Sequence, residues 1–239
     1  MKIEIADQYR PVQDFLSSVP SLFSEGRGEL IYRKRNEVRR LEHKGLVFIA
    51  KRYKRVNIAQ SVVYTFFRPT KAARAYRFAA EFRQRGVKTP REIAYIETFE
   101  LGFFTTGYFI CEECHCGNAF AELIEAEQFD RDLAQAVARQ VVFMHSCGIL
   151  HGDLNLSNFL YERSGDTYSF TMIDINRSHF ADGWPSDEAC LQNLVRLTHR
   201  RDLYRFLVSH YAELRGWDVE ETLTEAEHLL DKFENRRFR

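Results

Sequence analysis

With 239 residues, 45% of them hydrophobic and 28% charged, the chain has enough apolar content for a buried core, and its length suits one large domain or two small lobes. No apolar run approaches the roughly 20 residues that span a bilayer, which excludes a helical membrane protein. The formal net charge is zero.

That neutrality hides a division. Residues 1–110 hold 21 Lys and Arg against 11 Asp and Glu, and residues 111–239 hold 13 against 23. Within 27–91 the count is 19 basic to 4 acidic. Some of these arginines only solvate helix surface, but so basic a segment predicts an anionic partner: nucleotide phosphates, an acidic substrate or an anionic membrane surface. Nucleic acid is not expected. The opening Met1-Lys2-Ile3-Glu4-Ile5 has no apolar signal core, so a cytoplasmic protein is expected, with its five cysteines reduced.

Residues 29–33, 38–41 and 46–51 read as strands, with Lys44-Gly45 as a turn. Lys51 ends the run Leu46-Val47-Phe48-Ile49-Ala50, the strand-borne setting in which a kinase lysine contacts α- and β-phosphates. A solvated strand-edge lysine, or a rival role for Lys54, is the plainer reading. No glycine-rich loop precedes Lys51; the turn is Arg33-Lys34-Arg35-Asn36-Glu37, so any phosphate cover would use Arg35, Asn36 and backbone amides. Residues 69–85 read as a helix with Ala72, Ala75, Phe78, Ala79 and Phe82 on one face. Glu81 is its one acidic candidate for a lysine partner; pairing with Arg77 or Arg85, four positions away, competes. Gly86-Val87-Lys88-Thr89-Pro90 turns the chain, and residues 93–99 and 108–111 read as further strands.

About 111–116 lies the expected hinge between an N-lobe of about 1–111 and a C-lobe of about 117–239. Adenine would dock there through backbone groups, with Glu112 the residue put forward. Cys111-Glu112-Glu113-Cys114-His115-Cys116 lacks the second ligand pair of a structural zinc site, so no zinc is expected. A helix is expected from Asp130 to about His145, with Ala134, Val137, Ala138 and Val141 on its apolar stripe and His145 buried among them. Helices are also expected after Trp184-Pro185-Ser186, at about 201–214 and at 218–234. Cys190 falls on a helical face with Leu194 and Leu197 and reads as core. The ending Glu234-Asn235-Arg236-Arg237-Phe238-Arg239 reads either as a membrane contact or as a frayed basic tail.

The chemistry concentrates between His145 and His179. His151-Gly152-Asp153 is followed five residues after the aspartate by Asn158, and then by Ile173-Asp174-Ile175-Asn176-Arg177. Phosphoryl transfer needs a carboxylate to orient the attacking hydroxyl and oxygen ligands to hold Mg²⁺ on the phosphates. Asp153 fits the first task; Asn158 and Asp174, both hard oxygen donors, fit the second. Residues 159–161 and 168–173 flank a turn-like Arg163-Ser164-Gly165-Asp166, so a hairpin would return Asp174 to the end where Asn158 sits. Each of these residues alone could be an ordinary loop residue; the ordered set of three points to a small kinase. His151 is expected to brace this loop rather than move protons.

These residues resemble the bacterial lipopolysaccharide kinases, the Kdo/heptose kinase family of the protein-kinase-like superfamily. The resemblance runs from about residue 30 to 215 and is carried by Ile49-Ala50-Lys51, Tyr64-Thr65-Phe66-Phe67, Lys71-Ala72, Gly86-Val87-Lys88-Thr89-Pro90, His145, Gly148-Ile149-Leu150-His151-Gly152-Asp153, Asn158 and Asp174-Ile175-Asn176-Arg177. It implies an α+β, two-lobed protein-kinase-like fold with a small β-rich N-lobe and a mainly helical C-lobe. By the same resemblance Lys51 binds ATP phosphates, Asp153 is the catalytic aspartate, and Asn158 and Asp174 hold Mg²⁺. The acceptor would be a sugar hydroxyl of the lipid A–inner core, met at the cytoplasmic face of the inner membrane. One departure is plain: the family's helix glutamate would fall near Ala75 or Arg77, and neither is acidic.

Two other functions stay open. A small-molecule phosphotransferase of the aminoglycoside or choline type shares His-Gly-Asp. A pseudokinase that only binds nucleotide or a partner would account for Ala75 and Arg77. A peptide kinase is disfavoured, because Gly152 replaces an arginine, no Ala-Pro-Glu follows Asp174, and the chain after Asp174 is short for a peptide-docking helical lobe.

Overall fold

The computed structural model describes residues 1–237, so the end of the basic tail, Phe238 and Arg239, lies outside the described residues. Two compact units emerge. The first joins Met1–Glu81 to Pro90–His115; the second joins Phe82–Thr89 to the chain from Cys116 onward.

The first unit contains β1 (Lys2–Ile5), α1 (Gln13–Ser24), β2 (Glu29–Arg33), β3 (Glu37–His43), β4 (Leu46–Arg52), α2 (Ile58–Phe66), most of α3 (Lys71–Gln84), β5 (Glu92–Glu100) and β6 (Phe103–Glu112). Its six strands form one sheet in the order β1-β5-β6-β4-β3-β2, antiparallel at every pairing. Alternation along β4 explains both faces. Phe48 and Ala50 are fully buried against Leu16, Val19 and Phe23 of α1. Val47, Ile49 and Lys51 point the other way, as a period of two requires. On that second face Tyr53, Ala72, Ala73 and Tyr95 pack together, joined by Tyr76 and Phe109, so the alanine-rich side of α3 lies close to the strands.

A buried ion cluster ties the β2–β4 edge together. Glu37, 4% exposed, faces Arg39 Nε at 2.5 Å and Arg52 Nη2 at 2.6 Å. Burial pushes the Glu37 carboxyl up, but the guanidinium groups of Arg39, Arg52 and Arg33 outweigh it and hold the carboxyl below its ordinary range. Arg39 Nη1 also donates to the carbonyls of Gly26, Arg27 and Gly28 at 2.7 to 3.1 Å, which pins the turn before β2.

The second unit contains β7 (Gly117–Asn118), α4 (Arg131–Ser146), β8 (Ile149–Leu150), β9 (Phe159–Ser164), β10 (Thr167–Met172), β11 (His179–Phe180), α5 (Asp187–Leu194), α6 (Arg201–Arg215) and α7 (Val219–Arg237). Asp130 caps α4 by accepting from Leu133 N at 3.0 Å, and the stripe from Leu133 to His145 is buried as its spacing predicts. Helix α6 packs on α4 and on α7 and stops at Gly216, whose φ of 67° is a left-handed cap. Strands β9 and β10 form the expected hairpin, Phe159 opposite Met172, and β7 adds to its edge. Between the first unit's last strand and α4 the chain makes the short strand β7 and a five-residue π turn (Ala121–Glu125).

Cys114 and Cys116 are disulfide-bonded, while Cys111, Cys147 and Cys190 are free. This corrects the expectation of reduced thiols throughout: the two side chains, two residues apart, are brought within bonding distance, a proximity that a count of cysteines does not encode. Among the described residues no helix is long and apolar enough to cross a membrane.

Candidate active site

In the first unit Lys51 stands next to the end of β4, paired in register with Val38 on one side and Phe109 on the other. It is half-buried, and its Nζ lies 5.4 Å from the ring centroid of Tyr53. Its positive field also reaches Cys111, although burial dominates there and pushes the thiol up to about 12. Glu81 is half-buried on α3, with Ala75 packed at 3% exposure and Arg77 exposed on the same helix. Arg35 is exposed on the β2–β3 turn, and Asn36 Oδ1 accepts from Lys54 N at 3.2 Å. Glu112 accepts from the Tyr9 hydroxyl, and its own N–H donates to Arg91 O at 2.9 Å.

In the second unit the His-Gly-Asp loop and the Asp-Ile-Asn-Arg segment are held side by side. Strand β8, just before the loop, pairs with β11, just after Asp174-Ile175-Asn176-Arg177. Backbone contact between the two is so close that a Cβ on Gly152 would sit 2.0 Å from Arg177 O. Gly148, at φ 73°, is equally constrained, since a Cβ there would meet Ala181 O at 2.2 Å.

The side chains then arrange themselves around Asp153. Asn158 Nδ2 donates to Asp153 O at 2.8 Å, which leaves its Oδ1 as a lone-pair donor. The hairpin places Asn158 beside the second motif, because Ile173 N donates to Asn158 O at 3.1 Å. Asp174 sits at φ 56°, an uncommon left-handed conformation for a non-glycine residue, and its Oδ1 accepts from Asn176 Nδ2 at 2.6 Å. Asn176 Oδ1 is buried and has no hydrogen-bond partner among the described residues. Arg177 Nη1 lies 3.9 Å from Asp153 Oδ2, both side chains partly exposed.

His151 braces the loop as expected. Fully buried, it donates from Nε2 to Ile173 O at 3.0 Å and accepts Asp153 N–H on Nδ1 at 3.2 Å, so one neutral tautomer links both motifs. Burial lowers its pKa, against opposing pulls from the Ile173 carbonyl and from Asp174 and Asp153. Behind it runs a relay that sequence reading missed. Arg215 Nη1 donates to the Tyr211 hydroxyl (2.9 Å), which donates to His145 Nδ1 (2.8 Å). His145 Nε2 donates to Asn193 Oδ1 (3.1 Å), and Asn193 Nδ2 donates to His151 O (2.8 Å). Burial drives the His145 pKa down to about 4, so the ring stays neutral, as its accepting Nδ1 requires. The one visible signal was a polar Asn193 on the buried side of α5.

The segment Gly86–Thr89 belongs to this unit. Met172 N donates to Lys88 O at 2.8 Å, Lys88 Nζ to Ser169 Oγ at 2.7 Å, and Arg85 Nη1 to the carbonyls of Cys147 and Ala181 at 2.9 and 2.7 Å. Phe82 packs edge-on against His151 and Phe180.

Among the described residues no three His, Cys, Asp or Glu side chains group as a metal cage. The donors present are one amide oxygen and one carboxylate, Asn158 and Asp174. That set fits Mg²⁺, which keeps waters and takes phosphate oxygens beside one or two carboxylates.

A six-stranded antiparallel sheet with a strand lysine, followed by a helical unit carrying His-Gly-Asp, Asn and Asp at the ends of a hairpin, defines a protein-kinase-like fold. Against solved structures the chain aligns with one titled "WaaP in complex with acyl carrier protein", at TM-score 0.61 and 19% identity, covering 99% of this chain and 98% of that one. The family model for the lipopolysaccharide kinase (Kdo/WaaP) family matches residues 24–226, and the chain belongs to that family. Two curated relatives, both 3-deoxy-D-manno-octulosonic acid kinases of Vibrio vulnificus, are 22% identical over 158 residues (strain CMCP6) and 23% over 150 (strain YJ016). The matches span 64% and 61% of this chain and the same shares of those proteins, so the chain spans under two thirds of their length.

Proposed function

We propose that this protein transfers the γ-phosphate of ATP to a sugar hydroxyl of a lipid A–inner core acceptor. The observation that carries this reading is the bonding of the two motifs in the second unit. Asp153, Asn158 and Asp174 are tied through His151, the Asn158 amide and the Ile173 backbone into one rigid set. A reaction whose catalysis is mostly positioning and charge neutralisation needs such rigidity.

In this reading Asp153 accepts the proton of the attacking hydroxyl and aims its oxygen at phosphorus. Arg177, beside it, keeps the carboxylate oriented between turnovers. Asn158 Oδ1 and the Asp174 carboxylate hold Mg²⁺, which when bound neutralises charge on the phosphates. Asn176 fixes the Asp174 rotamer. Lys51 neutralises the α- and β-phosphates, with Glu81 as its orienting partner. Arg35 and Asn36, on a turn without a glycine-rich sequence, cover the phosphates from the β2–β3 side. The Glu112 amide is already donated to Arg91, so its share in adenine binding falls to its carbonyl.

The relatives' names support a Kdo acceptor, and the conclusion is testable at one residue. Asp153→Ala should cut transfer of labelled phosphate from ATP to core oligosaccharide by roughly 10² or more, with Mg²⁺–ATP affinity spared. Comparable turnover in that variant removes Asp153 from its role. Folded wild-type protein that binds no Mg²⁺–ATP in calorimetry would turn the reading to a pseudokinase, and preferred labelling of an aminoglycoside would turn it to a small-molecule phosphotransferase.

A further inference from the structure

Helix α2 is built inside out. A surface helix ordinarily buries its apolar stripe and solvates its polar one. Here the side facing the sheet is polar: the Ser61 hydroxyl donates to Phe104 O at 2.5 Å, and Thr65 Oγ1 accepts from Phe104 N at 3.0 Å. The Tyr64 ring, edge-on to Phe104 at 5.7 Å, adds an aromatic contact there. The apolar positions face outward instead. Ile58 is 87% exposed, Phe66 65% and Phe67 76%, with Val62 and Val63 between them at 36% and 38%. Ile58, Val62 and Phe66 follow one another at four-residue spacing, so they form a single ridge.

A second element extends the ridge. The β5–β6 turn carries Leu101, 99% exposed, at φ 49°, followed by Gly102 at φ 84°. A left-handed turn tip is where asparagine or glycine sits without cost, and a leucine there adds strain as well as exposed hydrocarbon. Phe103 follows, 42% exposed, its ring 6.1 Å from that of Phe66. Folding alone gives no reason for this apolar surface, and contiguous exposed patches of this kind mark contact sites.

The flank of the ridge is cationic. A cavity of about 220 Å³ beside α2 is lined by Arg35, Lys54, Arg55 and Lys71, together with Tyr64 of the helix. Arg68, exposed, follows Phe67 directly. Of these cations, Arg55 pairs with Glu100. An aliphatic and aromatic ridge rimmed by lysine and arginine matches an anionic bilayer on both counts: hydrocarbon for the acyl boundary and cations for the headgroup phosphates.

We propose that the α2 ridge and the Leu101 turn form a docking face for an anionic phospholipid bilayer, Ile58, Phe66, Phe67 and Leu101 entering the acyl boundary while Lys54 and Arg68 meet lipid phosphates. The inference does not depend on phosphate transfer. Its test is co-sedimentation of the full chain with vesicles of phosphatidylcholine containing about one third phosphatidylglycerol, compared with pure phosphatidylcholine. The wild type should partition strongly onto the anionic vesicles and weakly onto the neutral ones. Raising the salt to about 0.5 M should weaken binding without abolishing it, because the apolar part is unscreened. Phe66→Ser and Leu101→Asn should each lower the partition coefficient by about tenfold. Leu101→Asn should melt no lower than wild type, since asparagine tolerates the left-handed turn, so its lost binding cannot be lost folding.

Wild-type protein that ignores anionic vesicles overturns the proposal, as do variants that bind undiminished. Light scattering that finds a dimer dissolved by Phe66→Ser, with no vesicle binding, would assign the ridge to a second copy of this chain instead. Phosphate transfer to a delipidated oligosaccharide, run in parallel, should be unchanged in both variants. Its loss in wild type would count against the kinase reading and leave the docking face standing.

Discussion

Replacing Asn193 with alanine isolates what the buried relay contributes. The amide is 8% exposed and has two jobs, accepting from His145 Nε2 and donating to His151 O. Removing it strands a buried N–H and a buried carbonyl at once. An unsatisfied buried polar group costs about 1–3 kcal/mol, so the two together cost about 2–6 kcal/mol. Against a total of about 5–15 kcal/mol for a domain, that is a large fraction. Asn193→Asp should cost more still, because it keeps the acceptor for His145 but sets an oxygen against His151 O. Urea unfolding is the assay: the midpoint should fall with the slope unchanged. Turnover should fall as well, with the Michaelis constant for ATP little changed, because the loosened His151 no longer fixes the Asp153 amide. A stability loss below about 0.5 kcal/mol, the range of an ordinary surface substitution, would refute the idea that this relay holds the loop.

Two other expectations follow from the same region. His145 has its pKa lowered from 6.5 to about 4, so the unfolded chain binds the extra proton first as pH falls. The stability it contributes is complete above pH 6.5 and is lost between there and about pH 4, a change of about 3 kcal/mol. His145→Gln should flatten the stability–pH profile in that window; an unchanged slope would show that His145 is not its source. Gly152→Ala would push a Cβ to 2.0 Å from Arg177 O, which only backbone movement can relieve. A loss of about 1–3 kcal/mol in thermal unfolding is expected, with transfer falling more than stability, and wild-type behaviour in both would contradict the close approach.

Much of the second unit was legible from residues alone. His-Gly-Asp, Asn158 and Asp174 could be placed because turn residues at Ser164-Gly165 and two flanking aromatic runs specify a hairpin, and a hairpin returns its ends to one place. His145 could be read as buried because it falls on the α4 stripe. Its partners could not: Tyr211 and Asn193 lie 66 and 48 residues away, and no local pattern encodes a contact at that separation. Strand β1 was missed because four residues alternating in exposure carry little signal, and their pairing with β5 crosses most of the first unit. Helix α2 escaped for a different reason. Its nine residues include the β-branched Ile58, Val62, Val63 and Thr65 beside Tyr64 and Phe66, a composition that locally favours a strand over a helix. The basic excess of residues 27–91 was readable as a demand for an anionic partner, but charge counts alone could not say that hydrocarbon stands beside it.

The allotment of Phe82–Thr89 to the second unit governs how the chain can be cut and how it is made. A fragment beginning at Cys116 would lack the Lys88 carbonyl that Met172 needs and the Arg85 guanidinium that caps Cys147 and Ala181. As the polypeptide leaves the ribosome, those eight residues emerge long before the hairpin that receives them. They must wait, unpaired, while roughly 90 further residues are synthesised, several seconds at ordinary translation rates. An expression strategy that severs the two halves should therefore yield an incomplete C-terminal piece, whereas an insertion at the exposed Ser164-Gly165 turn leaves that interleaving intact.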